Sequence, residues 1–275
     1  MAHVSPVFVI GQKARYEILK PVAYTATYRL YVCRNESGEY CLLQIATEIE
    51  HNGGLERAAF ILRRLMASSR HYDESYARDN NGHRLHYDRL FPEVVETFVS
   101  EQQGRRRVNI LSFTDTPDVT RLIPLSNLKL KDRLRVDTKT DAWILGRLLK
   151  LMTLVHAEGV SIRKLGGSNV LLEPDLHFAI VLDWSSARMH QSAVPLEDST
   201  RDIARATQAA YDALGDIDNG TYIYDDADAH YIDLLRHLKD GKAGLLTADQ
   251  AHTMFYKLVR DIWPNEFHPF TTLPL

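Results

Sequence analysis

The feature that most constrains this chain is a long apolar helix followed closely by a short hairpin. Apolar side chains recur at spacings of three and four from Thr140 to His156, a period that predicts a buried helix. Farther along, two aliphatic runs flank Glu173-Pro-Asp-Leu176, whose proline and aspartate are typical of a tight turn. A hairpin across that turn would bring Asn169 and Asp183 together, so we expect one site that holds two side-chain oxygens.

The loop between the helix and the hairpin resembles the catalytic loop of protein kinases. In that family the sequence His-Arg-Asp-Leu-x-x-x-Asn supplies a base and a magnesium-binding Asn, and a later Asp-Phe-Gly supplies the main metal ligand. On this pattern the triplet reads Ile162-Arg163-Lys164, and the metal ligands are Asn169 and Asp183. The resemblance gives Asp202 the role of anchoring the loop backbone. A lysine stands where the base belongs, which argues against ordinary phosphoryl transfer.

The chain before this core predicts a small sheet with one helix, in the order of a kinase N-lobe. The helix is expected from Leu55 to about Met66, because its apolar residues keep helical spacing. Four strands rich in aromatic and aliphatic residues are expected at Tyr28–Cys33, Tyr40–Ala46, Val94–Val99 and Val108–Phe113. The resemblance therefore implies one kinase-like domain over residues 1–275 with a bilobal α+β fold. An antiparallel-sheet N-lobe would reach about residue 113, and a larger helical C-lobe would span 114–275.

The sequence pattern in the last third of the chain predicts helices. Ser199 or Thr200 is expected to cap a helix that stops at Gly215. Two more helices are expected at about Ala229–Lys239 and Thr247–Trp263, and Thr247-Ala-Asp-Gln250 has the spacing of a capping box.

The pair Asp183-Trp184 also resembles small-molecule phosphotransferases of the aminoglycoside type.

The same alignment indicates that the N-lobe has lost the loop that holds nucleotide phosphates. It matches Val22–Tyr31 to the glycine-rich loop, with Ala23, Thr25 and Tyr28 at the glycine positions. Glycines there let backbone amides approach phosphate, and β-carbons obstruct that approach. We expect Tyr24, Tyr28 or another bulky side chain to occupy the space that phosphates use in active kinases.

The ion pair of the kinase N-lobe is also missing from the sequence. Gln44 takes the place of the phosphate-binding Lys, and the position of its Glu partner falls on Ala58. Glu56 lies two residues away, about 200° around a helix, and could not replace that Glu without a change of register. A neutral Gln opposite an Ala indicates that both members of the ion pair were lost together.

Each retained residue also has a structural interpretation. Asn169 either binds metal or holds the loop by backbone hydrogen bonds. Asp183 is flanked by aliphatic residues, and a buried carboxylate needs a partner. If magnesium is absent, the ammonium of Lys164 is the nearest candidate, through a contact with Asp183 or Asn169. His156 and Arg163 are expected to pack and to anchor the loop.

Composition and charge exclude several classes of partner. The chain has 275 residues, 45% of them hydrophobic and 25% charged, and a formal net charge of -3. This charge gives no reason to bind nucleic acid or anionic lipid, and we expect neither partner. No apolar run is long enough to span a bilayer, and we expect a cytoplasmic protein. The two cysteines, Cys33 and Cys41, are expected to be buried and reduced.

Two functions remain open at this point. The first is a catalytically impaired pseudokinase that acts as a binding or regulatory module for a protein partner. It would bind nucleotide weakly or not at all, and we expect no cofactor. The alternative is a transferase on the same fold, a small-molecule or protein kinase or a nucleotidyl transferase. It would use ATP, with magnesium held by Asn169 and Asp183.

Overall fold

The aromatic and aliphatic runs in the first third of the chain form a six-stranded antiparallel sheet with one long helix. The computed structural model describes residues 7–116, 118–219, 224–264 and 267–275. They form two compact units. The first extends to Leu122 and includes Trp184–Ser186, and the second holds Ile123–Asp183 and the described residues from Ala187 onward. The sequence-based lobe boundary at about residue 113 lies slightly before the end of the first unit.

The first unit orders its strands β1-β2-β3-β4-β6-β5. Its elements are β1 Val7–Ile10, β2 Arg15–Tyr24, β3 Tyr28–Arg34, β4 Tyr40–Ala46, α1 Asn52–Asp79, β5 Glu93–Ser100 and β6 Arg106–Ser112. The four predicted strands are confirmed as β3 to β6.

The two faces of this sheet carry different side chains, because neighbours alternate across a strand. Leu30 pairs with Gln44, and Gln44 pairs with Asn109, so these residues share the face that carries α1. The opposite face carries the apolar core: Val9, Tyr16, Cys33, Cys41, Leu43, Ile45, Phe98, Val108 and Ile110. Gln44 and Asn109 are therefore a buried polar pair in a largely apolar sheet.

Helix α1 is much longer than the sequence predicts. The expected helix ran from Leu55 to about Met66, whereas α1 spans Asn52–Asp79. Its buried face continues with polar residues, because Ser69 and Asp73 are both buried. Asp73 accepts hydrogen bonds from two backbone amides of the following loop, each at 3.1 Å. A period of apolar residues cannot reveal a helix face that is completed by hydrogen bonds.

The second unit is mostly helical. Its helices are α2 Leu125–Leu130, α3 Thr138–Ala157, α4 Leu196–Ala213, α5 Asp226–Lys239 and α6 Ala248–Ile262. Its short strands are β7 Ile123–Pro124, β8 Leu134–Val136, β9 Val160–Ser161, β10 Val170–Glu173, β11 Phe178–Val181, β12 Arg188–Met189 and β13 Thr272–Pro274. Strand β10 pairs with β11 in the predicted hairpin and with β7 on its other side.

Most of the helical predictions for this unit are confirmed, and one start is wrong. Helices α3, α5 and α6 lie where the sequence places them, and Thr247 and Gln250 form the predicted capping box. Helix α4 begins at Leu196 after Pro195, so neither Ser199 nor Thr200 caps it. Ser199 lies inside the helix, where its hydroxyl contacts His156 at 3.2 Å.

Together these elements confirm an α+β fold with a sheet-based N-terminal part and a larger helical C-terminal part. None of the helices in the described residues is both long enough and apolar enough to cross a membrane.

Candidate functional site

Asp183 follows directly after β11 and pairs with the lysine at the base position. Its side chain is fully buried, and its Oδ2 lies 2.9 Å from the Nζ of Lys164. The side chain of Lys164 is 45% exposed. Lys164 therefore reaches a buried carboxylate from a position that is partly open to solvent. The expected Lys164–Asp183 contact is present, and it compensates a carboxylate that would be costly to bury alone.

The side-chain amide of Asn169 forms hydrogen bonds with the backbone of this loop. Its Nδ2 donates to the carbonyl of Lys164 at 2.6 Å and to that of Asp183 at 3.1 Å. Its Oδ1 accepts from the backbone N–H of Asp183 at 2.5 Å. These three bonds tie the loop to the residue after the hairpin. The geometry favours the alternative in which Asn169 holds the loop.

Asp202 anchors the other end of the loop from inside α4. It is buried, and its two oxygens accept from the backbone N–H of Ile162 at 2.7 Å and of Arg163 at 2.8 Å. The Nε2 of His156 lies 3.3 Å from the same carboxylate. Arg163 has a φ of 65°, in the left-handed region that side chains disfavour. Both bonds from Asp202 fall at this bend and oppose its relaxation.

These residues, as placed, do not fit a magnesium ion. Magnesium requires oxygen ligands in near-octahedral geometry. Here the Oδ1 of Asn169 bonds an amide, and the Oδ2 of Asp183 faces the Nζ of Lys164. Among the described residues, no group of three or more His, Cys, Asp or Glu side chains could hold a metal ion. The assignment of Asn169 and Asp183 as metal ligands stays a prediction.

In the first unit, the turn between β2 and β3 satisfies its own amides. The Oγ1 of Thr25 accepts from the N–H of Thr27 at 3.2 Å and of Tyr28 at 2.9 Å. The N–H of Thr25 donates to the carbonyl of Tyr28 at 2.9 Å. Three amides of the turn are thus engaged within it, and Ala23 lies in β2. Of the bulky side chains, Tyr28 is buried, while Tyr24 is 66% exposed and packs on Tyr31.

A polar network includes Gln44, one of the two positions that the sequence alignment matched to the kinase Lys–Glu ion pair. Gln44 is 2% exposed and Ala58 is 1% exposed. The Oε1 of Gln44 accepts from Asn109 at 3.4 Å, and its Nε2 has no hydrogen-bond partner among the described residues. Asn109 donates to the carbonyl of Leu55 at 3.0 Å and accepts from Thr97 at 2.6 Å. The sheet therefore holds α1 through a neutral amide on β6.

Glu56 also contributes to this attachment, from the exposed side of α1. Its Oε1 lies 2.9 Å from the Nη2 of Arg107 on β6. Arg107 in turn donates to the hydroxyl of Thr97 at 3.2 Å. The sequence excluded Glu56 as a partner for the β4 position, and the structure gives it a cation on a different strand.

Asn109, Thr97 and Arg107 were missed at the level of sequence. A weak signal existed, because Asn109 is the single polar residue in Val108-Asn-Ile-Leu111. A lone amide in an apolar strand indicates a buried hydrogen-bonding role. Its partners could not be identified, because they lie on two other elements.

The two units, the loop anchored by Asp202 and the hairpin after it define a protein kinase-like fold. Solved structures of this class resemble the chain over most of its length. The BubR1 kinase domain matches with a TM-score of 0.61 and 11% identity, covering 95% of this chain and 86% of that one. Vaccinia-related kinase 3 matches with a TM-score of 0.64 and 12% identity, covering 95% and 92%. No protein-family model and no curated protein matches the sequence. At this identity the likeness establishes the fold alone.

Proposed function

We propose that this chain is a catalytically impaired pseudokinase that acts as a binding or regulatory module, with weak or no affinity for nucleotide. One observation carries the proposal: the ammonium of Lys164 occupies the base position and bonds the carboxylate of Asp183. An ammonium has three donors and no acceptor, so it cannot take the proton of a substrate hydroxyl. The same contact engages the carboxylate that kinases use for their main metal ion.

The first unit supports this proposal independently. Kinases cover the phosphates with a glycine-rich loop and pair a strand Lys with them. In this chain the amides of Thr25, Thr27 and Tyr28 bond within their own turn, and Gln44 carries no charge. Positioning and electrostatic stabilisation supply most of the catalysis of phosphoryl transfer, so losing both removes most of the rate.

A protein partner and a cytoplasmic location belong to the same proposal. The net charge of -3 gives no general attraction to nucleic acid. A kinase fold without phosphoryl transfer retains its surfaces, and these are what a binding or regulatory module uses.

The competing function is an ATP-dependent transferase that uses Asn169 and Asp183 with magnesium. The partial exposure of the Lys164 side chain favours it, since a cation beside an open surface could neutralise a phosphate. This function requires Lys164 to leave Asp183 and the amide of Asn169 to turn.

A phosphotransfer assay distinguishes the two functions. The purified protein would be incubated with labelled ATP and magnesium or manganese, alone and with a generic protein substrate. We expect no incorporation above the level of Asp183→Ala. Robust incorporation by the wild type that disappears in Asp183→Ala would overturn the proposal. Lys164→Asp serves as a second comparison, and we expect it to stay inactive because the first unit is unchanged.

A further inference from the structure

Two cysteines face each other across strands β3 and β4. Cys33 and Cys41 are direct register partners, both are free and buried, and their sulfur atoms lie 3.2 Å apart. Directly opposed residues in an antiparallel pair have Cα atoms about 4.5 or 5.5 Å apart. Both distances lie within the range that a disulfide spans. A bond between these sulfurs therefore requires side-chain rotation and no displacement of the strands.

A cavity reaches one member of this pair. It has a volume of about 480 Å³, and Cys41 lines it together with Tyr16, Tyr40, Ile110, Phe113 and Thr116. Cys33 is absent from the described residues that line the cavity, and it is 0% exposed. The two thiols are therefore not equivalent. A small molecule that enters the cavity meets Cys41 first.

We propose that this pair is a site of oxidation by peroxide, in which Cys41 reacts first and Cys33 converts the product to a disulfide. In the first step the Cys41 sulfur attacks one oxygen of hydrogen peroxide and the O–O bond breaks, giving a sulfenic acid and water. In the second step the Cys33 sulfur attacks the sulfenic sulfur, and the departing hydroxide leaves as water with the thiol proton. The two thiols lose two electrons, and the peroxide gains them.

The environment of Cys33 agrees with its role as the second thiol. Its hydrogen bond with Cys41, followed by burial, raises the pKa of Cys33 well above its usual range. The order of attack follows from access, because Cys41 lines the cavity and Cys33 is 0% exposed. It lies in contact with the sulfur that it would attack. The bridge would fix β3 to β4, the strand that carries Gln44.

The test uses the full chain, first reduced and then treated with hydrogen peroxide. We expect the intact mass to fall by that of a hydrogen molecule, and peptide mapping without reductant to join the Cys33 and Cys41 peptides. Dithiothreitol should reverse the change. The same treatment of the chain unfolded in urea calibrates full oxidation. A folded protein that gains no cross-link under conditions that oxidise the unfolded chain would overturn the proposal.

Two matched variants test the order of reaction. With dimedone present during oxidation, Cys33→Ala should accumulate a trapped sulfenic acid on Cys41, because no second thiol is available. Cys41→Ala should give no adduct on Cys33. An adduct on Cys33 of comparable yield would contradict the assignment. Circular dichroism checks that both variants fold. If either does not, dimedone trapping of the wild type at short times shows which cysteine is modified first.

Discussion

Asp141 lies fully buried in the first turn of α3. The hydroxyl of Tyr231 donates to its Oδ2 at 2.7 Å, and its Oδ1 has no hydrogen-bond partner among the described residues. Burial raises the pKa of Asp141 to about 7, the bond from Tyr231 lowers it, and the charge of Asp137 raises it. Near neutral pH this carboxyl is therefore poised between its two protonation states.

This pKa predicts how stability depends on pH. The folded state holds the proton of Asp141 more tightly than the unfolded chain, whose carboxyl titrates near 3.8. The free energy of unfolding should therefore fall as pH rises from about 4 to about 7, and the contribution should level off above that. The full loss is about 4 kcal/mol, of which about 3 kcal/mol falls between pH 5 and pH 8. Urea unfolding at pH 5 and pH 8 measures it.

Asp141→Asn should remove most of that dependence, because the amide keeps an acceptor for Tyr231 and carries no charge. At pH 8 we expect this variant to be more stable than the wild type. Asp233→Asn, on the exposed face of α5, is the matched control. It should leave the dependence of the free energy of unfolding on pH unchanged. An unchanged slope in Asp141→Asn would show that other groups set the pH dependence.

The Lys164–Asp183 pair predicts a coupled loss of stability. Lys164→Ala leaves the buried carboxylate of Asp183 without its cation. Because Lys164 is nearly half exposed, we expect a cost of about 1–3 kcal/mol, between the values for exposed and buried pairs. Combining it with Asp183→Ala should recover part of the loss. Urea unfolding of the single and double variants measures the coupling.

Lys129→Ala is the control for this cycle. Lys129 pairs with Asp216 at 2.9 Å, and both side chains are exposed. Its loss should stay below about 1 kcal/mol. If Lys164→Ala costs no more than this control, Lys164 is not a structural residue. Its assignment as a phosphate contact would then gain support.

At the scale of elements, a buried amide helps to hold α1 on the sheet. Asn109→Ala removes the donor to the carbonyl of Leu55 and the acceptor for Thr97, both in a buried setting. We expect a destabilisation of about 2 kcal/mol, since unmade buried hydrogen bonds cost about 1–3 kcal/mol. Glu56→Ala breaks an exposed pair on the same helix and should cost less than about 1 kcal/mol. Equal losses in the two variants would contradict the central role of Asn109.

Elements with a strong local signal could be predicted from the sequence, and those completed by distant contacts could not. The hairpin of β10 and β11 was predicted because its turn residues and aliphatic runs are adjacent. The pairing of β10 with β7 was missed, since Leu171 and Leu172 meet Pro124 and Ile123 from far along the chain. The start of α4 was misplaced because Ser199, a good capping residue, bonds His156 from inside the helix.

The candidate site also combines features that the sequence predicts with features that depend on the folded structure. The spacing of the hairpin brought Asn169 and Asp183 together, and the resemblance to the kinase loop suggested Lys164 as the partner of the carboxylate. The sequence could not decide between metal binding and backbone bonding for Asn169, because the direction of an amide is a property of the fold. Nor could it reveal that Thr25 engages the amides of its own turn, since that depends on the conformation of three successive residues.

At the scale of the whole molecule, the proposed function places the differences from the kinase pattern in both units. The turn of Thr25 and the neutral Gln44 belong to the first unit, and the Lys164–Asp183 pair belongs to the second. Active kinases use the strand Lys, the catalytic-loop Asp and the metal ligand together. Groups that act as a unit lose nearly all of their effect when one is missing. Reverting one position should therefore restore very little.

Two single revertants test this distribution. Lys164→Asp restores a carboxylate at the base position in the second unit, and Thr25→Gly removes the hydroxyl that engages the turn amides in the first. For the wild type and for both variants we expect a change in melting temperature below about 1 °C with about 5 mM ATP and magnesium. A shift that small corresponds to less than about 0.5 kcal/mol and places the dissociation constant in the millimolar range or above.

The two variants distinguish a loss at one position from a loss that both units share. A ligand present at about one hundred times its dissociation constant would stabilise the protein by about 2.7 kcal/mol, a shift of several degrees. Such a shift in Lys164→Asp alone would place the whole deficit at the base position. The same shift in Thr25→Gly alone would place it in the turn. Either result would contradict a loss shared between the units. If the loss is shared, ATP should not shift the melting temperature of either variant, because Gln44 stays neutral in both.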